Sequence, residues 1–411
     1  MRKLLLLLSL FSAVAIPMAP AQADQSALTE KFFGKVILQP TGKNGYEELV
    51  AACDELSNSK LFHNVDEKGQ SATLTEKRQV LADRHVAAAL QLIHEGLRKP
   101  IRSPRDSVTY TTLLPEFAGF RRLARLLVMQ QYVFFSDGRN EDAINNLREG
   151  LRLADAIQTD TIIAGLVGVA IEAMETRAIG DHLDQLSARD TEQLYQVSME
   201  ALTRSDPLST VLDGERRAEM QTIQDLVKNY QAQGATALTE GTGEKPGPEL
   251  DAIAKGLATP TDAEQLVREV QKRMGQLFTQ ELQEAQKPLW QRSRLGGVPL
   301  DDGTPAGAMM NLISPTLDKV MDTYGRRESM LRILACHCAI LRFRWEHGRV
   351  PDSLERLELG DLVLDPFTGK ELEYHPHGRR YVLTSVGPET TADDPQNVNG
   401  RRPVTIVSDA F

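Results

Sequence analysis

The amino-acid sequence predicts a mainly α-helical chain that closes on a C-terminal α+β module, and three observations carry that expectation. Apolar residues recur at helical spacing through most of the 411 residues. Leu317, Tyr324, Leu331, Cys338 and Trp345 occupy every seventh position, with Val320, Leu334 and Leu341 three residues on, as in one long amphipathic helix. Beyond Gly348 and Pro351 the period changes to two. Leu372 and Tyr374, then Tyr381, Leu383 and Ser385, alternate with polar residues, and Val404 to Val407 supplies a third strand. The expected architecture is an irregular helical bundle, then the long helix, then a three-stranded antiparallel sheet.

The elements follow in order. Residues 1–23 read as a cleaved signal peptide: Arg2 and Lys3, an apolar run from Leu4 to Ile16, then Ala21-Gln22-Ala23. Export to the periplasm, the cell envelope or the extracellular space is therefore expected. No later stretch is apolar enough to span a membrane, so no transmembrane segment is expected in the mature chain. The 57 acidic side chains face 47 basic ones, two of which leave with the leader, and this balance argues against nucleic-acid binding.

Residues 24–75 form a mixed segment, helical over Tyr46–Leu56 and read as a polar loop over Asn58–Thr73. Residues 76–231 form a helical domain. Its best-patterned part joins Phe117–Phe135 to Glu141–Ile157 through Ser136-Asp137-Gly138. Gly138, Ala143, Leu147 and Leu151 there have the spacing of one tetratricopeptide-like hairpin. Helices over Thr161–Leu186, Thr191–Leu202 and Pro207–Gln231 follow. Residues 232–260, rich in glycine, threonine and proline, read as a linker. Residues 261–314 hold a charged helix, Thr261–Trp290, and a glycine- and proline-rich loop from Arg292 to Gly307. Residues 315–411 carry the long helix and the sheet. On that helix Arg326, Arg327, Arg332, Arg342, Arg344 and Glu346 fall largely off the apolar stripe and can face water.

Catalytic spacing is absent from the sequence: there is no H-E-x-x-H, G-x-S-x-G, phosphate-cradling loop or C-x-x-C. Glu172 and Glu175, three apart beside Arg177, share a helix face and could serve acid–base or metal chemistry. The plainer reading is an ion pair with Arg121 or Arg122. His85 and His94 are too far apart on one helix to share a metal, and His375 and His377 alternate at a hairpin. Cys336 and Cys338 point about 200° apart on a helix and cannot bridge each other. Either could pair with Cys53, or all three could be buried small hydrophobes.

The last part of the chain carries an ordered set of turn residues. Gly348, Pro351, Leu354 and Leu357 come first, then Asp365, Pro366, Gly369 and Tyr374, then Tyr381, Leu383, Ser385 and Gly387. This set resembles the C-terminal half of the major pseudopilins of type II secretion systems, also found at the end of uncharacterised helical exported bacterial proteins. The resemblance implies a pseudopilin-like head after the long helix. It further implies a closing loop able to hold calcium, here through Glu389, Asp393, Asp394 and Asn397; no other cofactor is expected. Two departures stand out. No apolar polymerising helix with a basic leader precedes this helix, and the loop lacks the family's glycine- and aspartate-rich character. The resulting expectation is a non-catalytic binding or scaffold protein of the cell envelope, with an unidentified envelope protein as partner. The alternatives are an enzyme of unrecognised type with its site in the helical core, or an accessory component of a secretion or pilus-like system.

Overall fold

The computed structural model describes residues 42–103, 108, 114–158, 161–204, 207–234, 236–238, 247–293, 300, 302–314, 317–390 and 396–408. The leader and two of the calcium candidates, Asp393 and Asp394, lie outside the described residues. The described part is mainly α-helical with a C-terminal three-stranded antiparallel sheet. Its helices are α1 (Gly45–Ser57), α2 (Lys60–Lys68), α3 (Leu74–Leu81), α4 (Arg84–Gly96), α5 (Glu116–Ser136), α6 (Asn140–Ile157) and α7 (Ile162–Gly180). There follow α8 (Ala188–Thr203), α9 (Pro207–Gln233), α10 (Pro248–Gly256), α11 (Pro260–Ala285), α12 (Pro305–Ile313) and α13 (Leu317–His347). Strands β1 (Glu373–His377), β2 (Arg380–Ser385) and β3 (Val404–Ser408) lie in that order, with Tyr374 opposite Leu383 and Leu383 opposite Ile406. Among the described residues no helix is long and apolar enough to cross a membrane.

Local chemistry sets the helix ends. Thr73 and Glu76 form a reciprocal capping box on α3, and Ser187 with Asp190 forms another on α8. The expected hairpin turn between α5 and α6 is a Schellman closure. Arg139 N donates to Phe134 O (2.8 Å), Gly138 N donates to Phe135 O (3.1 Å), and Gly138 takes φ +72°. Ala143, Leu147 and Leu151 are buried at its heart.

Three segments read as loop or linker contain helices. Within Asn58–Thr73, Ser59 accepts from Phe62 N (3.1 Å) and opens α2, which buries Phe62 and Val65 against the N-terminal core. Within 232–260, Pro248 sits in the first turn of α10, and Leu250, Ile253 and Leu257 enter the largest apolar cluster. Within Arg292–Gly307 and beyond, Thr304 caps α12, whose Met309 and Met310 are buried. In each case few apolar positions are enough, because tertiary burial rather than propensity stabilises a short helix. Conversely, α7 stops at Gly180, and a 3₁₀ turn at Leu183–Gln185 completes the span read as one helix.

Helix α13 is the axle of the molecule. Leu317, Val320, Met321 and Tyr324 enter a core built with α7, α9, α10, α11 and α12. Leu331, Leu334 and Cys338 enter a second core with α6 and α8, while Ile333, Cys336, Ala339 and Ile340 face the sheet. Each buried Leu or Ile contributes roughly 1.5–3 kcal/mol.

The turn residues of the C-terminal module all shape this docking. The Asp365 carboxylate accepts from Phe367 N (2.8 Å) and Val386 N (2.7 Å), tying the turn to the exit of β2. Tyr374 Oη donates to Pro351 O (2.9 Å), and Ser385 Oγ donates to Ser329 Oγ on α13 (3.0 Å). Gly348 at φ +73° ends α13, and Gly387 at φ +69° passes directly against Arg402. Gly369 adopts φ +67°, and a Cβ there would lie 2.6 Å from the Trp290 indole. A Gly369→Ala variant is therefore expected to lose about 2 kcal/mol through backbone strain and displacement of the ring. Chemical denaturation monitored by tryptophan emission should show a lower midpoint and a red-shifted native spectrum.

Candidate functional site

The acidic pair read from the sequence is resolved into two different environments. Glu172 Oε2 accepts from Arg327 Nε (2.8 Å), and Arg327 also donates to Ala201 O (3.2 Å) and lies 3.8 Å from Asp155. Arg204 pairs with Asp155 on the same side. The buried ion pair is real, but its cation comes from α13 rather than from Arg121 or Arg122. Arg327, expected to face water, is only 9 % exposed at its side chain. Burial pushes the Glu172 carboxyl above its ordinary range, and the Arg327 charge partly offsets that. Glu175 is fully enclosed against Gly150, and neither carboxylate oxygen has a hydrogen-bond partner among the described residues. Burial alone holds it well above the usual carboxylate range.

Other buried acids echo this pattern. Glu215 accepts from Ile162 N (2.7 Å) at the start of α7, while Glu219, one turn on, is raised by burial and by the Glu215 charge. His337, between the two α13 cysteines, shares a 2.6 Å hydrogen bond with Tyr381 of β2. Burial and the nearby Arg344 charge push it down to about 3, so it is neutral.

The remaining candidates separate. Cys53 lies in the N-terminal core against Gly119, while Cys336 and Cys338 face two other cores; all three are unbridged. The bridge from Cys53 to Cys336 or Cys338 is not formed, because each thiol packs as a small hydrophobe in its own cluster. His85 pairs with Glu55 (2.9 Å) and His94 with Glu149 (2.7 Å). His375 and His377 are exposed on β1. Of the described calcium candidates, Glu389 lies 3.5 Å from Arg401, and Asn397 Oδ1 accepts from Gly400 N (2.8 Å). Among the described residues no group of three His, Cys, Asp or Glu side chains is placed to hold a metal.

A cleft of about 200 Å³ opens where the helical body meets the module. One wall is a 3₁₀ turn at Leu289–Gln291, which the sequence reading placed in the end of the charged helix; α11 instead stops at Ala285. Leu289 packs over Gly325 of α13, and Trp290 over Gly369. Met321 and Phe367 supply further apolar surface, and Asp318 and Asp322 line the α13 side. Arg292 closes the C-terminus of α11 by donating to Lys287 O and Ala285 O (both 2.8 Å). Arg401 donates to Gly387 O (3.0 Å) beside Glu389. The cleft thus carries both signs of charge around an aromatic edge.

No family model matches the chain, and no curated protein or solved structure is significantly similar to it.

Proposed function

We propose that the chain is a non-catalytic binding or scaffold protein of the cell envelope, exported by residues 1–23. The observation that carries the reading is the seam cleft, walled by the helical body on one side and by α13 with the module on the other. A pseudopilin-like head, as the turn residues suggest, would here serve as half of a binding site. One feature weighs against the secretion- or pilus-like alternative. The apolar stripe of α13 is covered by this chain's own cores, leaving no continuous face for assembly into a filament.

A photo-cross-linking residue in place of Ser293, which is exposed beside the cleft, tests this in the native cell. The expected result is a discrete adduct in the envelope fraction that disappears with Arg401→Glu, on a chain beginning at Asp24. An unprocessed chain retained in the cytoplasm, or a mature chain giving no adduct, would overturn the reading.

A further inference from the structure

Helices α8 and α13 pack antiparallel, since Arg342 meets Glu192 near the start of α8 and Arg327 meets Ala201 near its end. Towards the C-terminal end of α13 they leave a groove of about 140 Å³. It shares no lining residue with the seam cleft and lies roughly 24 Å away along α13, at 1.5 Å rise per residue. Cys338 and Ala339 form its apolar floor, with Tyr195 and Trp345 as aromatic flanks. Trp345 is 40 % exposed, unusual for an indole in a chain with 5 % aromatic residues.

The polar groups of the groove are underused. Thr191 is 2 % exposed and lines the groove, yet its hydroxyl finds no hydrogen-bond partner among the described residues. A buried hydroxyl without a partner costs about 1–3 kcal/mol, which a ligand can recover. Arg342 has only a long contact to Glu192 (3.8 Å) and stands 5.9 Å over the Tyr195 ring, so most of its donors are uncommitted among the described residues. Glu346 sits one helical turn beyond Arg342, on the same face of α13, so opposite charges stand side by side at the rim. Helix polarity reinforces them: the positive N-terminal end of α8 and the negative C-terminal end of α13 lie at the same edge.

Opposite charges about one helical turn apart, above an apolar floor, match one ligand class. We infer that this groove binds a free α-amino acid with an apolar side chain. Its carboxylate meets Arg342, its ammonium meets Glu346 and the last turn of α13, and Thr191 completes the hydrogen bonding. The side chain lies over Ala339 and Cys338 between the two aromatic rings. The inference rests on the binding reading only in treating the chain as non-catalytic, and it names a site separate from the seam.

Titration calorimetry of the mature protein with L-leucine, L-norleucine and L-methionine tests it, alongside Trp345 fluorescence. At least one should bind saturably, and its N-acetyl and amide derivatives should each bind roughly tenfold or more weakly, since each removes one charge-assisted contact. Arg342→Ala should weaken binding at an unchanged unfolding midpoint and Thr191→Val should weaken it while raising the midpoint, since the unpartnered hydroxyl is gone; Trp345→Phe should abolish the emission change but keep the heat. Absence of saturable heat with all three amino acids overturns the assignment, as does equal binding of the blocked derivatives, which would mean an unselective apolar groove. Seam cross-linking does not depend on this groove, so the two failures are distinguishable.

Discussion

Replacing Arg327 by methionine is expected to destabilise the protein by about 4 kcal/mol at neutral pH, because it leaves a buried carboxylate without its cation. Glu172 is 3 % exposed at its side chain, and its Oε2 accepts from Arg327. Methionine keeps much of the packing but none of the charge, and Ala201 O also loses its donor. The companion Glu172→Gln/Arg327→Met variant should recover roughly half of the loss, since a neutral amide tolerates burial far better than an orphaned carboxylate. The pH dependence has a definite sign. In the folded protein Glu172 already titrates above the 4.5 of an exposed glutamate, chiefly through burial. A raised carboxyl leaves stability intact below its unfolded value and takes it away as pH rises through the folded value. Removing Arg327 moves the folded value higher still, so the deficit of Arg327→Met relative to the parent should shrink on going from pH 8 to pH 5. Urea denaturation of the three proteins at both values measures it. A deficit below 1 kcal/mol, or one equal at the two pH values, would show that the pair is solvated rather than buried.

Arg327 also marks where the sequence could and could not be read. The seven-residue stripe of α13 located the helix and its end at Gly348 correctly, because periodicity reports the dominant apolar face. It placed Arg327 in water because the stripe assumes one buried side. Helix α13 is enclosed by three cores, so a residue off the stripe can point into a second interface. The alternating positions of Tyr374, Tyr381, Leu383 and Ser385 likewise gave the strands of the sheet, since period two separates its two faces. Segments such as 248–256 were hidden for the opposite reason. Their glycines and prolines signal breaks, yet Leu250 and Ile253, three apart, are enough to hold a short helix against a preformed core. The seam cleft was illegible because its walls, Trp290 and Phe367, are far apart in sequence and pack over glycines, Gly369 and Gly325. A glycine seat under an indole leaves no periodic trace, although Gly369 was singled out as a turn former. The α8–α13 groove left one faint signal, Trp345 at the end of the stripe, where a large ring has no further turn of helix to cover it.

Glu281 should make the protein less stable as the medium becomes alkaline, and Glu281→Gln should remove that part of the slope. The residue lies on α11, 1 % exposed, and its Oε2 has no partner among the described residues. Burial raises the carboxyl from 4.5 to about 7, reinforced by the negative charges of Asp318 on α13 and Glu284 on its own helix. Glu284 is held by Lys287 Nζ (2.7 Å) and by Ser293 N (2.8 Å), so it stays ionised and keeps repelling a second charge. Below pH 4.5 Glu281 is protonated folded or unfolded and costs nothing. Between there and pH 7 the unfolded chain releases the proton first, so stability falls, and the loss is complete above about pH 8. At about 1.4 kcal/mol per pH unit the span bounds the effect near 3 kcal/mol, and local hydration of the ionised form leaves about 2 kcal/mol. The glutamine variant should therefore match the parent at pH 5 and exceed it by about 2 kcal/mol at pH 8.5. Because Glu172, Glu175, Glu215 and Glu219 are also raised, both proteins will weaken with pH. Only their difference isolates Glu281. A difference that is already present at pH 5 would mean that the amide is repairing a packing fault instead of removing a buried charge.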